Sequence, residues 1–210
     1  MGIGPGGAGV TGVGADAERG AAVLAAIRSR RVVRAMTAEP VERQALETIL
    51  DAARWAPTAG NRHLQRFVAT DDPATLRVLR AVSPGMLQHP TAAITICTDH
   101  ALAASYGFPS DAPGPRIDVG TAAATLMLAA HAIGIGAGPV TSFSRAAVAV
   151  ALRLPDQWVP ELVVCLGHPR PGGPAPIGGR PHLTWRDLTT WVPPDRRPGA
   201  DAPEPPRSDP

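Results

Sequence analysis

The chain has 210 residues, 44% of them hydrophobic, and a formal net charge of +2. That is enough for one α/β-type domain with a proper core, while its basic residues, all arginine and scattered along the chain, do not form the basic stripe of a nucleic-acid binder. Cys97 and Cys165 each sit inside an apolar run and lack the paired spacing of a zinc site or a disulfide framework, so both read as small buried hydrophobes. No charged leader runs into an apolar signal core, and the expected location is cytoplasmic.

In chain order, residues 1–20 are a Gly-rich segment expected to be flexible, 21–192 form the single ordered domain, and 193–210 are a Pro-rich tail expected to be disordered. Neither end carries enough apolar surface to offset the entropy of ordering. A short helix is expected over 21–30, running into the basic cluster Arg28-Ser29-Arg30-Arg31-Val32-Val33-Arg34. Pro40 opens a second helix in which Leu46, Ile49, Leu50 and Ala53 recur at helical spacing. This helix delivers the chain to the small polar turn Pro57-Thr58-Ala59-Gly60-Asn61. A strand over 66–70, a helix over 73–82 and a buried, β-branched strand over 91–98 follow. After a Pro/Gly-rich loop at 106–116 comes a small-residue helix over 118–133, which Gly134, Gly136, Gly138 and Pro139 interrupt. The remaining elements are a strand near Val140, a helix over 144–152, a strand over 161–166 and a last helix over 184–191.

The uncharged run over 119–144 has the length of a membrane span, but its helical part reaches only about 24 Å against a hydrocarbon core of about 30 Å. It is also rich in Ala, Thr and Gly, which suits close packing inside a protein or against a second subunit. Gly134-Ile135-Gly136-Ala137-Gly138 is not a dinucleotide turn, because it closes a helix where such a turn opens one. Gly134 is expected in the left-handed conformation at the helix C-terminus.

Four blocks, in order and spacing, resemble the nitroreductase family of FMN-dependent oxidoreductases. They are Arg30-Arg31-Val32-Val33-Arg34, then Ala56-Pro57-Thr58-Ala59-Gly60-Asn61-Arg62-His63, then Leu128-Ala129-Ala130-His131-Ala132-Ile133-Gly134-Ile135-Gly136, then Val163-Val164-Cys165-Leu166-Gly167-His168-Pro169. The resemblance implies an α+β fold, a central mixed sheet flanked by helices in an interlocked homodimer, with FMN in a cleft between subunits. It places Arg30, Arg31 and Arg34 at the flavin phosphate and ribityl chain, the alternative being a solvated helix face. It brings Pro57, Thr58, Ala59 and Asn61 from the partner subunit and lays Pro139, Val140, Thr141 and Ser142 along the flavin ring. Arg180 matches a late phosphate-holding position. Val32 and His63 depart from the family pattern, which often has Ser or Thr and Gln there; His63 is either a substrate contact or a structural residue beside a turn.

In a flavoenzyme the cofactor carries the hydride chemistry, so dispersed histidines and the lack of an evident acid/base constellation are no objection. The expected reaction moves hydride from NADH or NADPH through flavin N5 to a small acceptor such as a nitroaromatic or a quinone. An alternative rests on the similarity of 56–62, 79–85 and 138–143 to the catalytic subunit of cyclodipeptide oxidases. Those enzymes dehydrogenate a cyclic dipeptide with oxygen as acceptor, and work with a small second subunit in large assemblies. A third reading is a non-enzymatic flavin-sequestering or assembly protein. The loop over 106–116 is expected beside the site, where it would set selectivity.

Overall fold

Strand Ala92–Asp99 is buried along its whole length, as a run of Ala, Ile, Thr and Cys must be when both faces of a strand are covered. It is the second of four strands: β1 (Gln65–Thr70), β2 (Ala92–Asp99), β3 (Gly136–Val140) and β4 (Trp158–Gly167). The computed structural model describes residues 11–172 and 184–191. The strands lie in the order β1-β2-β4-β3, and every neighbouring pair is antiparallel. The resemblance implies a mixed sheet; among the described residues the sheet is purely antiparallel. Helices cover it, so the α+β class holds.

Side chains alternate across β2 and thereby divide the core. Ala92, Ile94 and Ile96 join Leu46, Ile49 and Ala53 of α2 (Arg43–Ala53) and Val119, Ala122, Ala123 and Leu126 of the long central helix. Ala93 faces the other way, joining Val163, Cys165, Leu76, Leu79 and Val148. Each Leu or Ile buried in this manner contributes about 1.5–3 kcal/mol. The apolar periodicity of α2 is therefore the face that packs on the sheet.

Several boundaries differ from the sequence reading. The first helix, α1, spans Thr11–Ser29 and starts well inside the segment expected to be flexible. Ala, Glu and Arg at 15–19 are strong helix formers, and Asp16 pairs with Arg19 one turn later. Helix α3 (Pro73–Ala81) follows Pro73 at its first position, with the Asp72 carboxylate accepting from Thr75 N–H; that hydrogen bonding, first from the Thr75 side chain, holds Asp72 below the ordinary carboxylate range. The unexpected α4 (His100–Ser105) is capped by Asp99, whose buried carboxylate also accepts from Trp158 Nε1 at 3.2 Å and pairs with Arg66 at 3.1 Å. The central helix α5 (Gly114–Ala132) takes in the end of the loop expected over 106–116. Helix α6 (Arg145–Ala151) begins after its Ser144 cap.

Gly134 has φ +80°. The N–H of Ile135 donates to Ala130 O at 2.9 Å and that of Gly134 to His131 O at 3.1 Å, a Schellman stop that only a left-handed residue closes without strain. Gly136 and Gly138, by contrast, do not interrupt the structure; they lie inside β3. A side chain at Gly136 would come within 2.8 Å of Val33 Cγ1, and one at Gly138 within 2.8 Å of Val33 O and 2.2 Å of Gln88 Nε2. These glycines let the segment after α1 lie flat on the strand.

Of the C-terminal unit that begins at 177, only residues 184–191 are described. Within it, the helix expected over 184–191 is a 3₁₀ turn at Trp185–Leu188, closed by a reciprocal cap between Thr184 and Asp187.

Candidate active site

The segment after α1 is strapped to the end of the sheet. Val33 N–H donates to Ala137 O at 2.9 Å, Thr37 N–H to His168 O at 2.9 Å, and Arg170 N–H to Ala35 O at 3.0 Å. Ser29 Oγ meets His131 Nε2 at 2.9 Å, fixing the end of α1 to the end of α5. This strap brings Arg30 and Arg31 to a cavity of about 250 Å³ with Met127, His131, Gly136 and Ala137. Arg30 Nη1 is buried there without a hydrogen-bond partner. A buried guanidinium donor left unpaired is costly, so this position calls for an acceptor, and phosphate oxygens match the geometry of an arginine fork.

The three arginines of the cluster are not equivalent. Arg31 Nη1 donates to Arg28 O at 2.7 Å and to Arg30 O at 2.6 Å, so that group caps the end of α1. Arg34 lies half-buried on the strap. Arg180 falls outside the described residues.

Pro139 and Val140 end β3, with Val140 packed in the core beside Val163 and Met86. Its side chain is therefore occupied in the core, which leaves only its backbone free to face a ligand. Thr141 and Ser142 emerge from the strand exposed, and Ser142 O accepts from Gly85 N–H at 3.1 Å. Gln88, 2% exposed, seals the space above Gly138. Sequence reasoning missed Gln88, which no local pattern marks.

The turn at residues 57–63 stands at the other end of α5. It contains a 3₁₀ turn, Ala59–Asn61, and positive φ at Gly60, Asn61 and His63. Its anchor is Asp118, 4% exposed, whose two carboxylate oxygens accept from Ala59 N–H at 3.0 and 3.1 Å. Thr121 Oγ1 donates to Pro57 O at 2.9 Å, and His63 N–H donates to Thr58 Oγ1 at 3.3 Å. Asp118 was missed as a site residue; the available signal was a lone carboxylate inside a helix of small apolar residues. Asn61 and His63 are both exposed. The loop expected beside the site does flank this turn, since the Arg62 guanidinium stacks on Tyr106 at 4.4 Å.

Asp118 and His131 are thirteen residues apart on α5, which puts the turn and the arginine cavity about 20 Å apart along the helix axis within one chain. The cavity also falls just short of the roughly 300–1,000 Å³ that small-molecule pockets usually offer. Neither cysteine is available for covalent chemistry. Burial, helped by the Glu161 charge, pushes the Cys97 thiol up to about 12, and burial alone does the same to Cys165.

The family model described as the nitroreductase family matches residues 27–168, which include the strap, the turn, α5 and all four strands. The chain belongs to the nitroreductase family. It is 30% identical over 174 residues to 5,6-dimethylbenzimidazole synthase of Rhodospirillum rubrum, covering 70% of this chain and 82% of that one. It is 32% identical over 153 residues to a protein of Archaeoglobus fulgidus assigned as an NADH dehydrogenase/NAD(P)H nitroreductase, covering 70% and 85%. A protein of Desulfovibrio desulfuricans assigned as a nitroreductase and solved in complex with FMN superposes with a TM-score of 0.67 at 29% identity, over 81% of this chain and 96% of that one. A flavin phosphate fits this chain's residues in one respect that the geometry shows: Arg30 Nη1, a buried donor at the cavity, lacks an acceptor. No helix among the described residues is long and apolar enough to cross a membrane.

Proposed function

We propose that this nitroreductase-family protein is an FMN-dependent oxidoreductase, using NADH or NADPH to reduce a small organic acceptor such as a nitroaromatic or a quinone. The observation that carries the reading is Arg30 Nη1, buried without a partner in the cavity beside β3. Bound FMN supplies the hydride chemistry. Arg30 holds the phosphate, with Arg34 beside it on the strap. The backbone of 139–142 lines the ring, where an N–H stabilises charge, and Asn61 offers its amide. His63, exposed beside the turn, meets the substrate.

The working form in this proposal is a homodimer. Within one chain the two halves of the cradle lie at opposite ends of α5, so the partner's turn completes each site. Val23, Leu24 and Ile27 on α1 and Ile117 on α5 are exposed apolar side chains that a partner would cover. The two free cysteines accord with a reducing, cytoplasmic setting.

The experiment is anaerobic mixing of the FMN-loaded protein with NADPH and then NADH, following the flavin absorption. Bleaching by either supports the proposal. Bound flavin that nicotinamides leave oxidised but a cyclic dipeptide bleaches would replace it with the oxidase reading. Flavin that no reductant bleaches would indicate sequestration.

A further inference from the structure

A second concavity is larger than the arginine cavity. A groove of about 750 Å³ opens on the α3 side of the sheet, floored by Met36 and Leu76 and reached by Arg77, Arg80, His89 and Arg170. Its volume lies in the range of sites that bury a small organic ligand.

Its charge is unbalanced. Arg77 and Arg80 are one turn apart on α3 and share a face, while Arg170 approaches from beyond β4. Asp71, the acidic wall residue, is taken by Arg43 at 3.1 Å. Asp72, which feels the charge of Arg77, is occupied as the cap of α3. Three arginines therefore line the groove, against one lining aspartate, Asp71, that Arg43 already engages.

The polar groups are also arranged to donate. Arg80 Nη1 lies 3.0 Å from His89 Nδ1. Since a guanidinium has no acceptor, Nδ1 must accept and the imidazole carries its proton on Nε2. His89 thereby becomes a fixed N–H donor and Arg80 is held in place. Arg170 uses Nη2 on Met36 O at 3.3 Å and keeps the rest of its fork. Thr91 Oγ1, on the groove wall, is buried without a partner.

We propose that this groove binds a phosphate ester of a small organic molecule, at a site separate from the flavin cavity. The guanidiniums and His89 supply the several donors a phosphoryl group needs, and Met36 and Leu76 give the organic part an apolar floor. A free inorganic ion would use only the first set.

The test is calorimetric titration of the FMN-loaded protein at low salt with AMP, adenosine and inorganic phosphate as probes. AMP is expected to saturate one site per chain, with adenosine and inorganic phosphate each at least about tenfold weaker. Arg77→Gln and Arg80→Gln should each weaken AMP about tenfold or more, while the flavin spectrum and the urea midpoint stay unchanged. Phosphate binding as tightly as AMP would leave an anion site and overturn the ester. Absence of saturation by about 10 mM AMP, binding indifferent to both substitutions, or binding lost instead in Arg30→Ala would overturn the groove.

Discussion

The two ends of α5 hold the segments packed on them by different means. At the N-terminal end, a buried carboxylate grips a strained turn from beneath: Asp118 takes the Ala59 N–H while Gly60, Asn61 and His63 stay left-handed. At the C-terminal end the strap is held by backbone hydrogen bonds, with side-chain ties only at its ends, Ser29 on His131 and Arg170 on Met36 O, and its seat is cut by missing side chains. Gly136 and Gly138 lack side chains, so Val33 lies against β3 and carries Arg30 to its cavity. One half is positioned by a charge-assisted hydrogen bond, the other by the exclusion of any Cβ. The first fails when a donor or acceptor is removed, and the second when an atom is added.

The comparison breaks most sharply if both halves serve the same protomer's flavin. Arg30→Ala removes the proposed phosphate donor, and Ala59→Pro removes the N–H that Asp118 holds. Each variant alone is expected to lose FMN affinity by about ten- to a hundredfold, measured by fluorescence of released flavin. In a dimer that shares its sites, unfolding and refolding the two variants together creates heterodimers with one intact site. About a quarter of the wild-type turnover should return. A mixture that regains nothing would show that each chain builds its own site, and the homodimer proposal would fail.

Adding a single methyl group sharpens the comparison at the other end. Gly138→Ala puts a Cβ 2.2 Å from Gln88 Nε2 and 2.8 Å from Val33 O, and one of those neighbours is backbone. The expected cost is about 1–3 kcal/mol of stability, read as a lowered urea midpoint, with weakened FMN retention as the strap lifts. At the turn, Asp118→Ala leaves the Ala59 N–H unpaired and should cost about 1–2 kcal/mol, whereas Asp118→Asn retains an acceptor and should recover part of it. If Gly138→Ala were neutral, close approach would not be what seats the strap.

The same contrast explains what could be read from the sequence. Leu46, Ile49 and Ala53 announced α2 because amphipathic periodicity is local, and Gly134 announced the end of α5 for the same reason. Gly136 and Gly138 looked like further interruptions; what fixes them is Val33 and Gln88, distant in sequence and silent in any short window. The basic cluster was legible as a whole, yet only the structure separates Arg30, buried and unpartnered, from Arg31, which caps its own helix. A six-residue helix such as α4 is too short to display a period. Strand direction depends on pairing between distant segments, so the antiparallel sheet was out of reach. Asp118 was visible as an isolated acid, but its purpose appears only when Ala59 arrives above it.

The smallest effect is at His63, where the turn's geometry and the proposed substrate contact make different demands. Its φ of +51° costs an L-residue about 1–2 kcal/mol, and glycine relieves that while adding about 0.5–1 kcal/mol of chain entropy to be lost on folding. Because the side chain is exposed, its removal forfeits little packing. His63→Gly should therefore leave stability unchanged or raise it by up to about 1 kcal/mol, measured by urea unfolding. If the imidazole meets the acceptor, the KM for that acceptor should rise with flavin affinity unaltered. An unchanged KM would return His63 to the turn as a structural residue, kept left-handed by the N–H it gives to Thr58 Oγ1 and the carbonyl it offers to Arg66.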